Sequence, residues 1–228
     1  MNVIEIRHAD LRLEEPELEA LRRLLSDDEL DRCSRAKFPT VERRFLAARG
    51  LLRRILGETL RCDPRELSFA EETGGKPFVA GSGAPPPVRY SVSHSADLLV
   101  VGISRDFEIG IDVEKIRENY QPEPIVKRFF SAREYEVWQG FPENERIEAF
   151  FRAWTRKEAY LKGTGKGITG IGEIEVSFER GLRKALVKHV HHTQESERWD
   201  FIDLDEFAGF VGCIAAPVQI DRLDIRPV

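Results

Sequence analysis

The chain has 228 residues, longer than one minimal domain of about 100 to 150 residues and short for two large ones, so one compact body or two small lobes fit it. With 41% hydrophobic and 33% charged residues it has apolar material for a core, which excludes disorder over most of its length. A formal charge of −5 argues against a binder of nucleic acid or of anionic membranes, so any anion site must be local.

The opening residues Met1-Asn2-Val3-Ile4-Glu5-Ile6-Arg7 meet charge early and lack the apolar run of a signal peptide. No later segment has the roughly 18 uninterrupted apolar residues of a membrane span, so a cytoplasmic protein is expected. Residues 17–25 and 27–37 read as short helices, the second behind Ser26, a good N-cap residue. Residues 40–60 read as a longer one, with Phe45, Ala48, Leu52, Ile55 and Leu56 on one face and Arg43, Arg44, Arg49, Arg53 and Arg54 over much of the remainder. A solvated face is the plain reading of those arginines. Cys33, Cys62 and Cys213 are odd in number and far apart, which suits buried thiols and neither a disulfide framework nor a C-x-x-C motif.

The Pro/Gly stretch over residues 81–87 predicts an exposed loop. Strand patterning follows over residues 90–93, 98–104 and 108–114. Helices are then expected near 123–128, 132–139 and 143–162, and strands near 174–178, 184–189, 199–203 and 210–215. Helices followed by a mostly antiparallel sheet therefore occur twice, without a residue-level repeat. This predicts an α+β fold of two similar lobes, residues 1–115 and 116–228, with an active site at their seam.

Five segments carry chemistry or its imitation. Asp112 and Glu114, in Ile109-Gly110-Ile111-Asp112-Val113-Glu114-Lys115, stand two apart on a strand and share a face, while Ile111 and Val113 take the other. Paired carboxylates repel unless a cation or donors neutralise them, and hard oxygen ligands suit Mg²⁺; an outward polar strand face is the competing reading. Trp154, Glu158 and Lys162 form an i, i+4, i+8 stripe, which serves equally a packed anchor with a surface ion pair. The loop Gly163-Thr164-Gly165-Lys166-Gly167 beyond it is no phosphate-binding Walker loop, because Tyr160 and Gly167 stand where that motif needs Gly and Ser or Thr. Ser93-His94-Ser95 lacks a G-x-S-x-G elbow, and His189, His191 and His192 have no Cys/His pair to complete a zinc pattern.

Read together, Gly110-Ile111-Asp112-Val113-Glu114, Arg128-Phe129-Phe130-Ser131 with Glu134, and Trp154-Thr155-Arg156-Lys157-Glu158-Ala159 with Lys162 resemble, in order and spacing, the signature segments of the 4′-phosphopantetheinyl transferases. Gly75-Lys76-Pro77 and Ser93-His94-Ser95 are similar to further segments of the long, surfactin-type members, which are two-lobed monomers. The resemblance runs from about Arg49 to Gly167; Thr155 stands where Ser is also frequent, and residues 115–127 align poorly.

The resemblance implies transfer of the phosphopantetheine arm of coenzyme A to a serine of an apo acyl or peptidyl carrier protein, releasing adenosine 3′,5′-bisphosphate. It implies Asp112, Glu114 and Glu158 as ligands of Mg²⁺, Glu158 as general base directly or through water, and Lys162 as the pyrophosphate and leaving-group cation. It further implies Arg49, His94 and Arg35 around the 3′-phosphate, and Lys76 and Ser93 as nucleotide-side contacts. A carrier-protein or coenzyme A binding module without catalysis, and a metal-dependent phosphodiesterase, are the alternatives the same residues would serve.

Overall fold

A computed structural model describes residues 1–81 and 88–228; the loop expected over 81–87 lies, from residue 82 on, outside the described residues. The first half runs β1 (Val3–Asp10), α1 (Glu15–Arg22), α2 (Asp27–Ser34), α3 (Pro39–Leu60), β2 (Ser68–Glu71), β3 (Pro77–Ala80), β4 (Arg89–Ser95), β5 (Leu98–Ser104) and β6 (Gly110–Lys115). The second half runs α4 (Glu123–Phe129), α5 (Ala132–Gln139), α6 (Glu143–Thr164), β7 (Ile174–Val176), β8 (Leu186–His189), α7 (Glu195–Arg198), β9 (Asp200–Asp203), β10 (Phe210–Ala216) and β11 (Arg222–Pro227).

Local chemistry sets the helix ends. Ser26 and Glu29 start α2, and Ser131 and Glu134 start α5, each pair exchanging backbone-to-side-chain hydrogen bonds in a capping box. Gly165 stops α6 with a φ of +69°, where a side chain would be strained. The buried stripe of α3 is Leu46, Ala47, Leu51, Leu52, Ile55 and Leu56. The expected Phe45 lies at its margin, 36% exposed, and Arg53 of the expected solvated face is buried. Among the described residues no helix is long and apolar enough to cross a membrane.

The architecture is α+β in two lobes, as the pattern predicts. One sheet has the order β11-β1-β5-β4 and a second the order β6-β10-β9; β1–β11 is parallel, and the other pairs in both sheets are antiparallel. Helices α1 to α3 share an apolar core with β4 and β5, and α4 to α6 share another with β7 to β10. A third core, containing Ile4, Ile6, Val100, Ile111, Val113 and Ile214, fills the seam between the sheets.

The expected lobe boundary after residue 115 falls at the end of β6. Strand β6 pairs with β10 and so belongs to the second sheet, while β11 returns to lie beside β1 in the first. Both strands close the seam core, with Ile111 and Val113 of β6 buried in it and Leu223 and Ile225 of β11 packed against it. The chain therefore crosses between lobes twice, and the seam is as apolar as a domain interior.

Candidate active site

The signature glycine of β6 has a steric reason. A Cβ at Gly110 would stand 1.8 Å from the Ala159 carbonyl oxygen, so only glycine lets β6 lie against the backbone of α6. That contact brings Asp112 and Glu114 beside the last turns of α6, which carry Glu158 and Lys162. Helix α6 is itself fixed by two buried cations. Arg156 forks onto Asp203 and donates to the Ser177 and Glu179 carbonyls. Lys157 pairs with Glu134 at 2.9 Å and donates to the Ile174 carbonyl at 2.5 Å. Glu134 is fully used, since its other oxygen accepts from the Val176 N–H at 2.8 Å. Trp154 of the stripe packs edge-on to Phe129 and stacks on Phe150.

One turn further the charges are not balanced. Asp112 is buried; its Oδ1 accepts from Lys162 Nζ at 2.7 Å and from Ser93 Oγ at 2.8 Å, while its Oδ2 has no hydrogen-bond partner. Glu158 Oε1 is likewise buried without a partner. Glu114 accepts from Ser95 Oγ at 2.7 Å. All three carboxyls are pushed above their ordinary range. Burial is the main cause in each; the Asp112 charge adds to it for Glu114 and Glu158, and Lys162 opposes it.

Glu158 and Lys162 border a groove of about 230 Å³ that Tyr90 and Ser91 also line, between β4 and the end of α6. Pro77 separates it from a larger groove of about 760 Å³ lined by Arg35 and Arg49. Arg49 pairs there with Glu29 and lies 4.0 Å over the Phe69 ring. Burial raises the Glu29 carboxyl, but Arg53, the Ser26 N–H and Arg49 outweigh it and hold it low. His94 follows Ser93 on β4 with its ring open to solvent on one side. Crowding by neighbouring atoms, then the Lys162 and Arg44 charges, keep its imidazole below the ordinary value.

Two residues expected as nucleotide-side contacts have side chains engaged within the protein. Lys76 is buried, and its three N–H donors go to Glu108 at 2.6 Å, the Ile109 carbonyl at 3.0 Å and the Gly163 carbonyl at 2.9 Å. It ties the β3 edge to β6 and to the end of α6. The Ser93 hydroxyl donates its proton to Asp112 at 2.8 Å. Sequence reasoning missed Glu29, Arg53 and Phe69, which shape the Arg49 groove; the Ser26 capping pattern was the one signal pointing to Glu29.

The donor set fits a hard divalent cation. Two buried carboxylate oxygens without donors, on β6 and α6, cost free energy unless a cation takes them. Among the described residues no three His, Cys, Asp or Glu side chains converge on one point, and Asp112 is paired with the Lys162 ammonium at 2.7 Å.

Comparison with known proteins agrees with this geometry. Residues 108–215 match the 4′-phosphopantetheinyl transferase superfamily and residues 13–105 the 4′-phosphopantetheinyl transferase N-terminal family. The chain is 42% identical over 168 residues to the 4′-phosphopantetheinyl transferase HetI of Nostoc sp. PCC 7120, covering 73% of this chain and 71% of that one. It is 33% identical over 166 residues to the 4′-phosphopantetheinyl transferase psf-1 of Bacillus pumilus, covering 73% and 69%. With Sfp of Bacillus subtilis strain 168 it shares 26% identity over 162 residues, 71% of this chain and 70% of that one. The chain belongs to the 4′-phosphopantetheinyl transferase superfamily, of the long, two-lobed type.

Proposed function

We propose that the seam site transfers the 4′-phosphopantetheine arm of coenzyme A to a serine of an apo carrier protein, using Mg²⁺ held by Asp112, Glu114 and Glu158. The observation that carries this reading is the pair of donorless buried oxygens, Asp112 Oδ2 and Glu158 Oε1, with Glu158 and Lys162 lining one groove. Bound Mg²⁺ would supply positive charge against the pyrophosphate and so lower the repulsion an incoming alkoxide meets.

The chain's own residues do the rest. Lys162, paired with Asp112 in this structure, is the counter-charge that a metal replaces, which frees its ammonium for the pyrophosphate and the departing bisphosphate. The carrier serine Oγ attacks the phosphorus that bears the pantetheine arm; the P–O bond to adenosine 3′,5′-bisphosphate breaks, and the serine proton goes to Glu158 directly or through water. The raised proton affinity of Glu158 suits that acceptor role. Arg49, Arg35 and His94 belong to the 3′-phosphate end, where a phosphate shares Arg49 with Glu29. A monomeric, cytoplasmic enzyme acting on acyl or peptidyl carriers, and on neither nucleic acid nor membrane, completes the reading.

Incubation with coenzyme A, Mg²⁺ and an apo carrier protein tests it by mass. A gain of one phosphopantetheine arm is expected. Loss of coenzyme A with an unmodified carrier would show hydrolysis instead.

A further inference from the structure

The two sheets meet edge to edge at β4 and β6, yet these strands are not paired through their backbones. Side chains take over that task. Ser91, Ser93 and Ser95 lie two residues apart on β4 and therefore face one way. Their hydroxyls accept hydrogen bonds from the N–H groups of Ile111 at 3.0 Å, Val113 at 3.2 Å and Lys115 at 3.1 Å. The serine oxygens thus stand where carbonyl oxygens of a neighbouring strand would, and satisfy an edge of β6 that is otherwise unpaired.

A hydroxyl that accepts from a fixed N–H has its own proton left to direct elsewhere. Ser93 directs it to Asp112 and Ser95 to Glu114, at 2.8 and 2.7 Å. Ser91 makes the same backbone bond, and its hydroxyl donates to no carboxylate. The ladder therefore contains its own comparison: three rungs join the sheets, and two of the three also fix a carboxylate. With one oxygen of Asp112 held by Ser93 and Lys162, the other is left bare.

We propose that Ser95 and Ser93 are positioning residues that orient Glu114 and Asp112 for the divalent cation, while Ser91, on the groove wall, joins the sheets without holding a carboxylate; this rests on the metal reading above. Each serine takes its own orientation from β6, the same strand that carries the carboxylates. Strand and ligands therefore move as one unit, and a shift of the lobes would disturb the carboxylates directly. Removing a group of this kind typically weakens metal binding about 10- to 100-fold.

The test uses Ser95, which neither grips Asp112 nor lines the groove. Mn²⁺ binding by electron paramagnetic resonance and thermal unfolding are measured for the full chain and for Ser95→Ala, Ser95→Thr and Ser91→Ala. Ser95→Ala should weaken Mn²⁺ binding about 10- to 100-fold, and Ser95→Thr, which keeps the hydroxyl, should return most of it. Ser91→Ala should lower the melting temperature at least as much as Ser95→Ala and leave Mn²⁺ affinity within about twofold, since it loses only a neutral hydrogen bond between the sheets. Unchanged Mn²⁺ affinity in Ser95→Ala, or equal weakening in Ser91→Ala, would overturn the inference alone. Absence of Mn²⁺ binding by the unsubstituted protein would overturn the metal reading and this inference with it.

Discussion

Lys157 and Glu158 are neighbours in one signature segment on one helix, and their surroundings are opposite. Lys157 is fully buried, paired with Glu134 and bonded to a backbone carbonyl, and Glu134 in turn has both oxygens engaged. Glu158 keeps a buried oxygen with no partner, and burial, with the neighbouring Asp112 and Glu114 charges, raises its proton affinity. A satisfied buried charge holds a fold together, whereas an unsatisfied one marks a place where a ligand completes the chemistry. Two residues that look alike as motif letters are thus separated by their hydrogen bonds into scaffold and site.

Substitution should separate them further. The largest effect is expected at the scaffold, where Lys157→Ala leaves the Glu134 charge buried and should cost about 3 to 5 kcal/mol of stability by chemical unfolding. Replacing both partners together, as Lys157→Met with Glu134→Gln, should recover part of that loss, because it removes the uncompensated charge and keeps an acceptor oxygen for the Val176 N–H. Full stability of the single variant would show that Lys157 is not buried as described. At the site the pattern should invert. Glu158→Gln removes an unpaired buried charge, so melting should hold or rise, while turnover should fall by about 100-fold or more; Asp112→Ala should fall as far. Turnover that survives in both, or that falls only in proportion to lost folding, would erase the distinction.

The smallest effect is expected at Arg49. Arg49→Ala should raise the KM for coenzyme A about tenfold, the worth of one charge-assisted contact, and should narrow the preference over dephospho-coenzyme A. An equal loss on both substrates would assign Arg49 to the packing of Glu29 and Phe69 instead.

What was legible in the sequence follows from the same division. The long helices, the two-residue spacing of Asp112 and Glu114, and the stripe of Glu158 and Lys162 are local patterns, and local periodicity reports them. The resemblance of Gly75-Lys76-Pro77 implies a nucleotide-side contact for Lys76 but says nothing of its partners in the fold. Its partners lie 32 to 87 residues away in sequence, so nothing local could announce that its donors were spent. The return of β11 to β1 escaped for the same reason: six residues of alternation at one end pair in parallel with a strand at the other. Ser93 was assigned by its place beside His94, whereas its proton belongs to a carboxylate on the neighbouring strand. Distances along the chain decided what could be seen, and the lobe seam concentrates long ones.

The claim that the unsatisfied carboxylates work through a divalent cation is tested most directly by modification of an apo carrier protein with coenzyme A after the enzyme has been stripped with excess chelator. No carrier should gain mass in the chelator, and full modification should return when Mg²⁺ is added in excess of it. Complete modification without divalent metal would contradict the account.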